Sequence, residues 1–284
     1  MSLLVIGKTG QVARELSRRA PEARFVGRDE AELSDPETCA KLVQDSGAQV
    51  VINAAAYTTV DKAESEENLA HLVNAQAPGA MAGAAALIGA VFVHISTDYV
   101  FDGTGSTPFT PDAPTAPLGA YGRTKLAGEE AVRRSGAAFA ILRTSWVFSA
   151  HGTNFVKTML RLAESRDAVS VVADQIGGPT PAGDIAEACL LIGSQLAADP
   201  SKSGTYHYTG SPDTSWAGFA REIFTQSGHK IAVTNITTAD YPTPAQRPGN
   251  SRLDCSTTEQ AFGISRPDWH KGLTEVLNDL GDQT

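Results

Sequence analysis

The sequence predicts an α/β protein built on a doubly wound parallel sheet, with a smaller C-terminal α/β part. A glycine turn joins the first apolar run to a helical stretch, and short apolar runs then alternate with longer, partly polar segments. The polar residues suited to chemistry fall directly after those runs. In a doubly wound sheet ligands gather at the carboxyl ends of the strands, so these positions are the informative ones.

The first strand, Leu3-Leu4-Val5-Ile6, is followed by Gly7-Lys8-Thr9-Gly10-Gln11-Val12-Ala13 and the helical stretch Arg14 to Arg19. Further strands are expected at Arg24 to Val26, Val50 to Asn53, Val91 to Ile95 and Ala138 to Leu142. Helices are expected near Pro36 to Ser46, Glu66 to Ile88 and Tyr121 to Ser135. From about Asn154 the alternation weakens. Helices are expected at Phe155 to Glu164, Ala182 to Leu196 and Trp216 to Ser227, with strands at Val169 to Val172 and Thr205 to Tyr208, some returning to the first sheet. Tyr241-Pro242-Thr243-Pro244 reads as a loop, because proline cannot donate to a sheet ladder and disfavours helix in the residue before it.

Composition excludes several functions. At 284 residues the chain can bury a substantial core, and a net charge of −9 with no basic run argues against nucleic acid as a partner. Cys39, Cys189 and Cys255 are odd in number and far apart, so neither a disulfide framework nor a zinc site is expected. The six histidines show no metal-ligand spacing. No signal-peptide pattern precedes the first strand, and the uncharged stretch Gly79 to Val93 is shorter than a spanning helix needs. A cytoplasmic protein without a membrane partner is the expectation.

The chemistry is legible at the strand ends. Gly7, Gly10 and Ala13 form a GxxGxxA turn that can bring backbone N–H groups to a pyrophosphate at the helix start, as in a Rossmann-like dinucleotide site. After the second strand, Arg28 would accommodate the 2′-phosphate of NADP, whereas Asp29 or Glu32 would suit the ribose of NAD; an exposed loop arginine is the alternative. The small residues of Asn53-Ala54-Ala55-Ala56-Tyr57-Thr58 allow a cofactor to approach the backbone. Hydroxyls in Ser96-Thr97-Asp98 could hydrogen-bond a substrate carbonyl. Tyr121 and Lys125, four apart on a helix, would lie side by side, and a lysine cation there would lower the pKa of the phenol. Arg247, after the proline-rich loop, is a candidate for a sugar diphosphate, with a surface salt bridge as the alternative.

In this order and spacing, the glycine turn, the strand-end Ser-Thr and the Tyr-x-x-x-Lys resemble the extended short-chain dehydrogenase/reductase family. The likeness is closest to its reductases of dTDP-linked 4-keto sugars, and it extends through Asp174 to Thr180 and Tyr241 to Pro248. It implies a Rossmann domain over residues 1–153 and a mainly sugar-nucleotide domain over 154–284. It implies reduction of the 4-keto group of dTDP-4-dehydro-L-rhamnose by NADPH, or by NADH.

By position, Gly10, Gln11 and Val12 match the pyrophosphate turn, Glu32 and Leu33 the adenine end, and Ala56, Tyr57 and Thr58 a cofactor-facing loop. Thr97 and Asp98 match substrate contacts, and Trp146 an aromatic wall of the sugar site. Tyr121 would donate the proton, Thr97 would assist at the carbonyl, and Lys125 would hold the nicotinamide ribose. Some relatives hold Mg2+ at a contact between two subunits, so the resemblance allows a homodimer, but no carboxylate set in the sequence can be assigned to such a site.

Two rivals stand beside this expectation. Related dehydratases follow Thr-Asp with a glutamate for water elimination, where this chain has Tyr99. A non-catalytic NADP-binding regulatory subunit could keep the same residues unused.

Overall fold

The computed structural model describes residues 2–281. Its centre is a sheet of β1 (Leu3–Ile6), β2 (Arg24–Val26), β3 (Val50–Asn53), β4 (Val91–Thr97), β5 (Phe139–Thr144) and β6 (Gly204–His207). The order is β2-β1-β3-β4-β5-β6 and every pairing is parallel. Val5 pairs with Ile52, Ile52 with Val93, and Thr97 with Thr144, so the ends of β1, β3, β4 and β5 open on one edge. The order reverses between β1 and β3, the kind of switch point at which such sheets bind ligands.

Both faces of the sheet are covered, which is why its strands lack polar alternation. On one face Val5, Ile52, Val93 and Leu142 pack with Leu16 of helix Gln11–Arg19 and with Ile185, Cys189 and Ile192 of helix Ala182–Ala198. On the other, Leu4, Ile6, Val51, Phe92 and Ile141 meet Cys39, Val43, Met81 and Val132. Each such aliphatic or aromatic side chain, taken fully from water, contributes about 1.5–3 kcal/mol before the entropy of ordering is set against it.

The single helix expected from Glu66 to Ile88 is interrupted. An α-helix at Glu67–His71 passes through a π-turn at Leu72–Gln76 into an α-helix at Ala77–Leu87. Pro78 has no N–H to give the carbonyl of Asn74, and its ring would crowd that oxygen in a regular helix. The displaced carbonyl points at Gly128, where an added Cβ would lie 2.0 Å from it. The π-turn thus lets two helices approach closely.

The later elements do not stay together. Helix Ala182–Ala198 and β6 belong to the central sheet and its core. Phe148, Val156, Met159, Phe219, Ile223, Trp269 and Leu273 form a second core, beside the parallel pair Ala168–Val172 and Ala232–Ile236. Three short strands, Thr214–Ser215, Ile176–Gly177 and Asn250–Ser251, form a further small sheet. Among the described residues no helix is long and apolar enough to cross a membrane.

Candidate active site

A cleft of about 1000 Å³ runs along the open edge of the sheet. At one end it is formed by the glycine turn. Gly7 has φ +118°, a backbone conformation that residues with a side chain rarely adopt, so the turn after β1 calls for glycine here. Gly10 is the N-cap of helix Gln11–Arg19 and makes no side-chain cap, leaving N–H groups of the first helical turn directed at the cleft. These features fit a dinucleotide pyrophosphate. The Gln11 side chain is engaged elsewhere: its Oε1 accepts from Ser149 Oγ at 3.0 Å and from Asn154 Nδ2 at 2.8 Å.

The structure brings Gly7, Gly10, Gln11, Val12, Arg28, Glu32, Leu33, Ala54, Ala55, Ala56, Tyr57 and Thr58 to this one cleft. Arg28 is exposed at the rim beyond β2. The Tyr57 loop is held by Asn74 of the π-turn, whose Oδ1 accepts from Tyr57 N–H at 2.8 Å and whose Nδ2 donates to Tyr57 O and to Thr124 Oγ1, both at 3.1 Å. Sequence reasoning missed Asn74, although Pro78 four residues later was the available signal.

Thr97, Asp98, Tyr121, Lys125 and Trp146 line the other part of the same cleft. Tyr121 rides on helix Ala120–Arg133, whose first N–H is capped from a distance: Glu64 Oε1 accepts from Ala120 N–H at 2.8 Å. Arg123 adds a fork to Glu67, with both contacts at 2.9 Å. Gly122 lets the helix press against the turn after β4, since a Cβ there would stand 2.2 Å from Tyr99 O. The Tyr99 ring meets Tyr121 edge to face at 5.5 Å.

The expected lowering of the phenol by Lys125 is not found. Burial pushes Tyr121 up to about 12, the nearby Asp98 charge adds to this, and the Thr97 hydroxyl within reach pulls the other way. Burial also takes Lys125 down to about 8 against the pull of Glu129, so its ammonium is gone before the phenol titrates. Lys125 Nζ donates to Ile95 O at 2.7 Å and lies 3.3 Å from His94 Nε2. A phenol that keeps its proton at neutral pH can still serve as an acid towards a developing alkoxide.

Asp98 is buried, and its pKa is pushed up to about 6 by that burial, with the Ser251 and Thr97 hydroxyls opposing the shift. Thr97 Oγ1 donates to Asp98 Oδ1 at 3.1 Å, while Oδ2 has no hydrogen-bond partner among the described residues. Ser251 was not legible as a site residue. Neither was Trp216, whose indole stacks on Trp146 with centroids 3.6 Å apart and donates to Gln175 Oε1 at 3.1 Å. Trp146 itself adopts φ 51°, a conformation uncommon for a bulky residue, and its carbonyl accepts from Thr180 N–H at 3.2 Å.

Arg247 is not among the residues lining the cleft. It pairs with Asp61 at 2.7 Å, and Asp61 also accepts from Ala245 N–H at 3.1 Å, so this arginine fastens the proline-rich loop to helix Val60–Ala63. The salt-bridge alternative describes its place. Among the described residues no group of three or more His, Cys, Asp or Glu is placed to hold a metal ion.

Known proteins match this architecture along its whole length. The family model for the RmlD substrate binding domain matches residues 1–281. A dTDP-4-dehydrorhamnose reductase of Burkholderia thailandensis is 45% identical over 100% of both chains, and one of Sinorhizobium fredii is 44% identical over 98% of this chain and 97% of its own. The crystal structure of a Clostridium acetobutylicum dTDP-4-dehydrorhamnose reductase superposes with a TM-score of 0.92 at 36% identity, covering 99% of this chain and 100% of that one. A Bacillus anthracis dTDP-4-dehydrorhamnose reductase, solved in complex with NADP, has a TM-score of 0.89 at 34% identity, covering 98% of this chain and 100% of that one.

Proposed function

This chain belongs to the RmlD substrate binding domain family, and from that premise we infer that it is an NADPH-dependent oxidoreductase reducing the 4-keto group of dTDP-4-dehydro-L-rhamnose to give dTDP-L-rhamnose. The observation that carries the reading is one continuous cleft with a pyrophosphate-type glycine turn at one end and Thr97, Tyr121 and Lys125 at the other. When bound, the reduced nicotinamide supplies a hydride to the carbonyl carbon. The Tyr121 phenol gives its proton to the carbonyl oxygen, so carbon gains the hydride and oxygen the proton, leaving an alcohol. Thr97, once its hydroxyl turns from Asp98 Oδ1 to the substrate, donates a hydrogen bond to the same oxygen, general-acid and oxyanion contacts of this kind being worth several kcal/mol together. Lys125 orients the nicotinamide ribose, and Trp146 closes the sugar side.

Elimination chemistry is disfavoured by Tyr99, which stands where dehydratases carry a glutamate. Burial raises the Tyr99 phenol, and its ring packs on Tyr121. Arg28 at the β2 rim favours NADPH over NADH, and the Bacillus anthracis relative was solved with NADP. In this reading the sugar side of the cleft is lined by Asp98, Trp146, Val147, Gly152 and Thr153, with Gln175, Trp216 and Ser251 of the later segments behind them.

The test is to incubate the purified full chain with NADPH and dTDP-4-dehydro-L-rhamnose, following cofactor oxidation and identifying the product. Oxidation only with the keto sugar, yielding dTDP-L-rhamnose, is expected. Cofactor binding without turnover would favour a regulatory subunit instead.

A further inference from the structure

The loop 149–154 brings Gly152 and Thr153 to the cleft wall. It leaves the second core after Phe148 and returns to it at Val156, in helix Phe155–Ala163. Its hydrogen bonds to the nucleotide turn converge on Gln11, the first residue of helix Gln11–Arg19: Gln11 Oε1 accepts from Asn154 Nδ2 at 2.8 Å and from Ser149 Oγ at 3.0 Å. Gly152 lies against the same side chain, where an added Cβ would meet Gln11 Cγ at 3.5 Å.

Which way the two amides face follows from their other partners. Asn154 is the N-cap of helix Phe155–Ala163, and its Oδ1 accepts from Lys157 N–H at 3.1 Å. Its other end is therefore the NH2, which also donates to Ser149 O at 2.7 Å and reaches His151 O at 3.3 Å. Facing an NH2, Gln11 must present its oxygen. No other hydrogen bond engages the Gln11 side chain among the described residues, so its Nε2 keeps two donors for a ligand, on a residue that lines the cleft beside N–H groups suited to a pyrophosphate. Capping alone does not call for this arrangement. An N-cap needs only an oxygen, which serine supplies as well as asparagine, whereas reaching Gln11, 143 positions away in the chain, takes the longer side chain and its NH2.

An amide that donates from its nitrogen to an anion becomes a stronger acceptor at its oxygen, because each hydrogen bond polarises the next. A phosphate on Gln11 Nε2 therefore tightens the Asn154 contact on Oε1. We propose that Asn154 is a positioning residue that responds through Gln11 to the cofactor pyrophosphate and sets Gly152 and Thr153 for the sugar nucleotide, so that bound cofactor strengthens sugar binding. The reverse follows, since coupling between two ligands is equal in both directions. The sugar half of this statement rests on the reductase reading; the response of Asn154 needs only a dinucleotide at the glycine turn.

Asn154→Ser keeps the cap and withdraws the NH2, which makes it the test. In the full chain, the Kd of dTDP-L-rhamnose is measured by calorimetry without and with saturating NADPH, a pair that cannot react because the cofactor is reduced and the sugar is already an alcohol. NADPH should tighten binding to the native protein by roughly 5-fold or more, and in Asn154→Ser that factor should fall to about 2-fold or less while the Kd of NADPH alone changes less. Gln11→Met should lose the same factor, and the double variant no more than either single one. A factor that survives in Asn154→Ser, that is absent from the native protein, or that falls further in the double variant would overturn the proposal. A second readout needs no sugar: the Asn154 side-chain 15N–1H signals, assigned by their loss in Asn154→Ser, should move to lower field when NADPH is added. Signals that stay in place would equally overturn it. Binding of NADPH without dTDP-L-rhamnose would instead strike the sugar reading, and the Asn154 signals would still decide whether this contact responds to cofactor.

Discussion

The cofactor end of the cleft is made of strand ends and the few residues after each, Gly7 to Val12 after β1, Arg28 after β2 and Ala54 to Thr58 after β3. The sugar end depends on segments far apart in the chain: Trp146 backed by Trp216 and Gln175, and Asp98 beside Ser251. The first is largely backbone geometry delivered by the sheet, so few of its side chains are individually decisive. The second is side-chain packing between a sheet and a second core, where one residue can displace another that never leaves its place in the sequence. Tyr121 stands between the two, anchored by Glu64 and Gly122.

The largest effect is expected where the two ends meet. Tyr121→Phe keeps the ring and removes the acid, so kcat should fall by roughly 10²- to 10⁴-fold while the Kd for NADPH changes little. Near-native turnover would move the acid elsewhere.

Asp98→Asn probes the sugar end through stability. The folded-state pKa of Asp98 is raised from 3.8 to about 6, so between these values the folded protein holds a proton that the unfolded chain releases. That contribution to stability is present below pH 3.8 and is lost as pH rises through about 6, a difference of at most about 3 kcal/mol. Relative to the native protein, the variant should therefore gain stability between pH 4 and 7. Parallel stability curves in denaturant titrations across that range would contradict this.

Arg28→Ala isolates the cofactor end. Charge-assisted hydrogen bonds to a 2′-phosphate are worth about 1.5–3 kcal/mol, so NADPH should bind roughly 10- to 100-fold more weakly while NADH is nearly unaffected. Equal dissociation constants before and after, for both cofactors, would leave Arg28 a surface residue.

The smallest effect sharpens the contrast most. Trp216→Ala removes the ring on which Trp146 stacks, and an aromatic pair is worth about 0.5–1.5 kcal/mol beyond its area. The KM for the dTDP-sugar should rise up to roughly 10-fold with the Kd for NADPH unchanged. A matching loss of cofactor affinity would mean that the two ends are one mechanical unit.

What the sequence by itself determined is the part governed by local rules. The bounds of β1, β2 and β3 followed from apolar runs between turns, and the nucleotide turn from Gly7 and Gly10 following a strand. Tyr121 and Lys125 were found because a helix brings residues four apart together. Their electrical relation was not, because burial at each group outweighs their nearness, and burial is set by what packs above them. Tertiary structure also decided the π-turn that presents Asn74, the pairing of Arg247 with Asp61, and the return of residues 182–207 to the central sheet. Ser251, Gln175 and Trp216 carry no spacing signal relative to Asp98 or Trp146. They meet because separate segments share one packed core, and contact across a core depends on the path of the whole chain, which no local periodicity encodes.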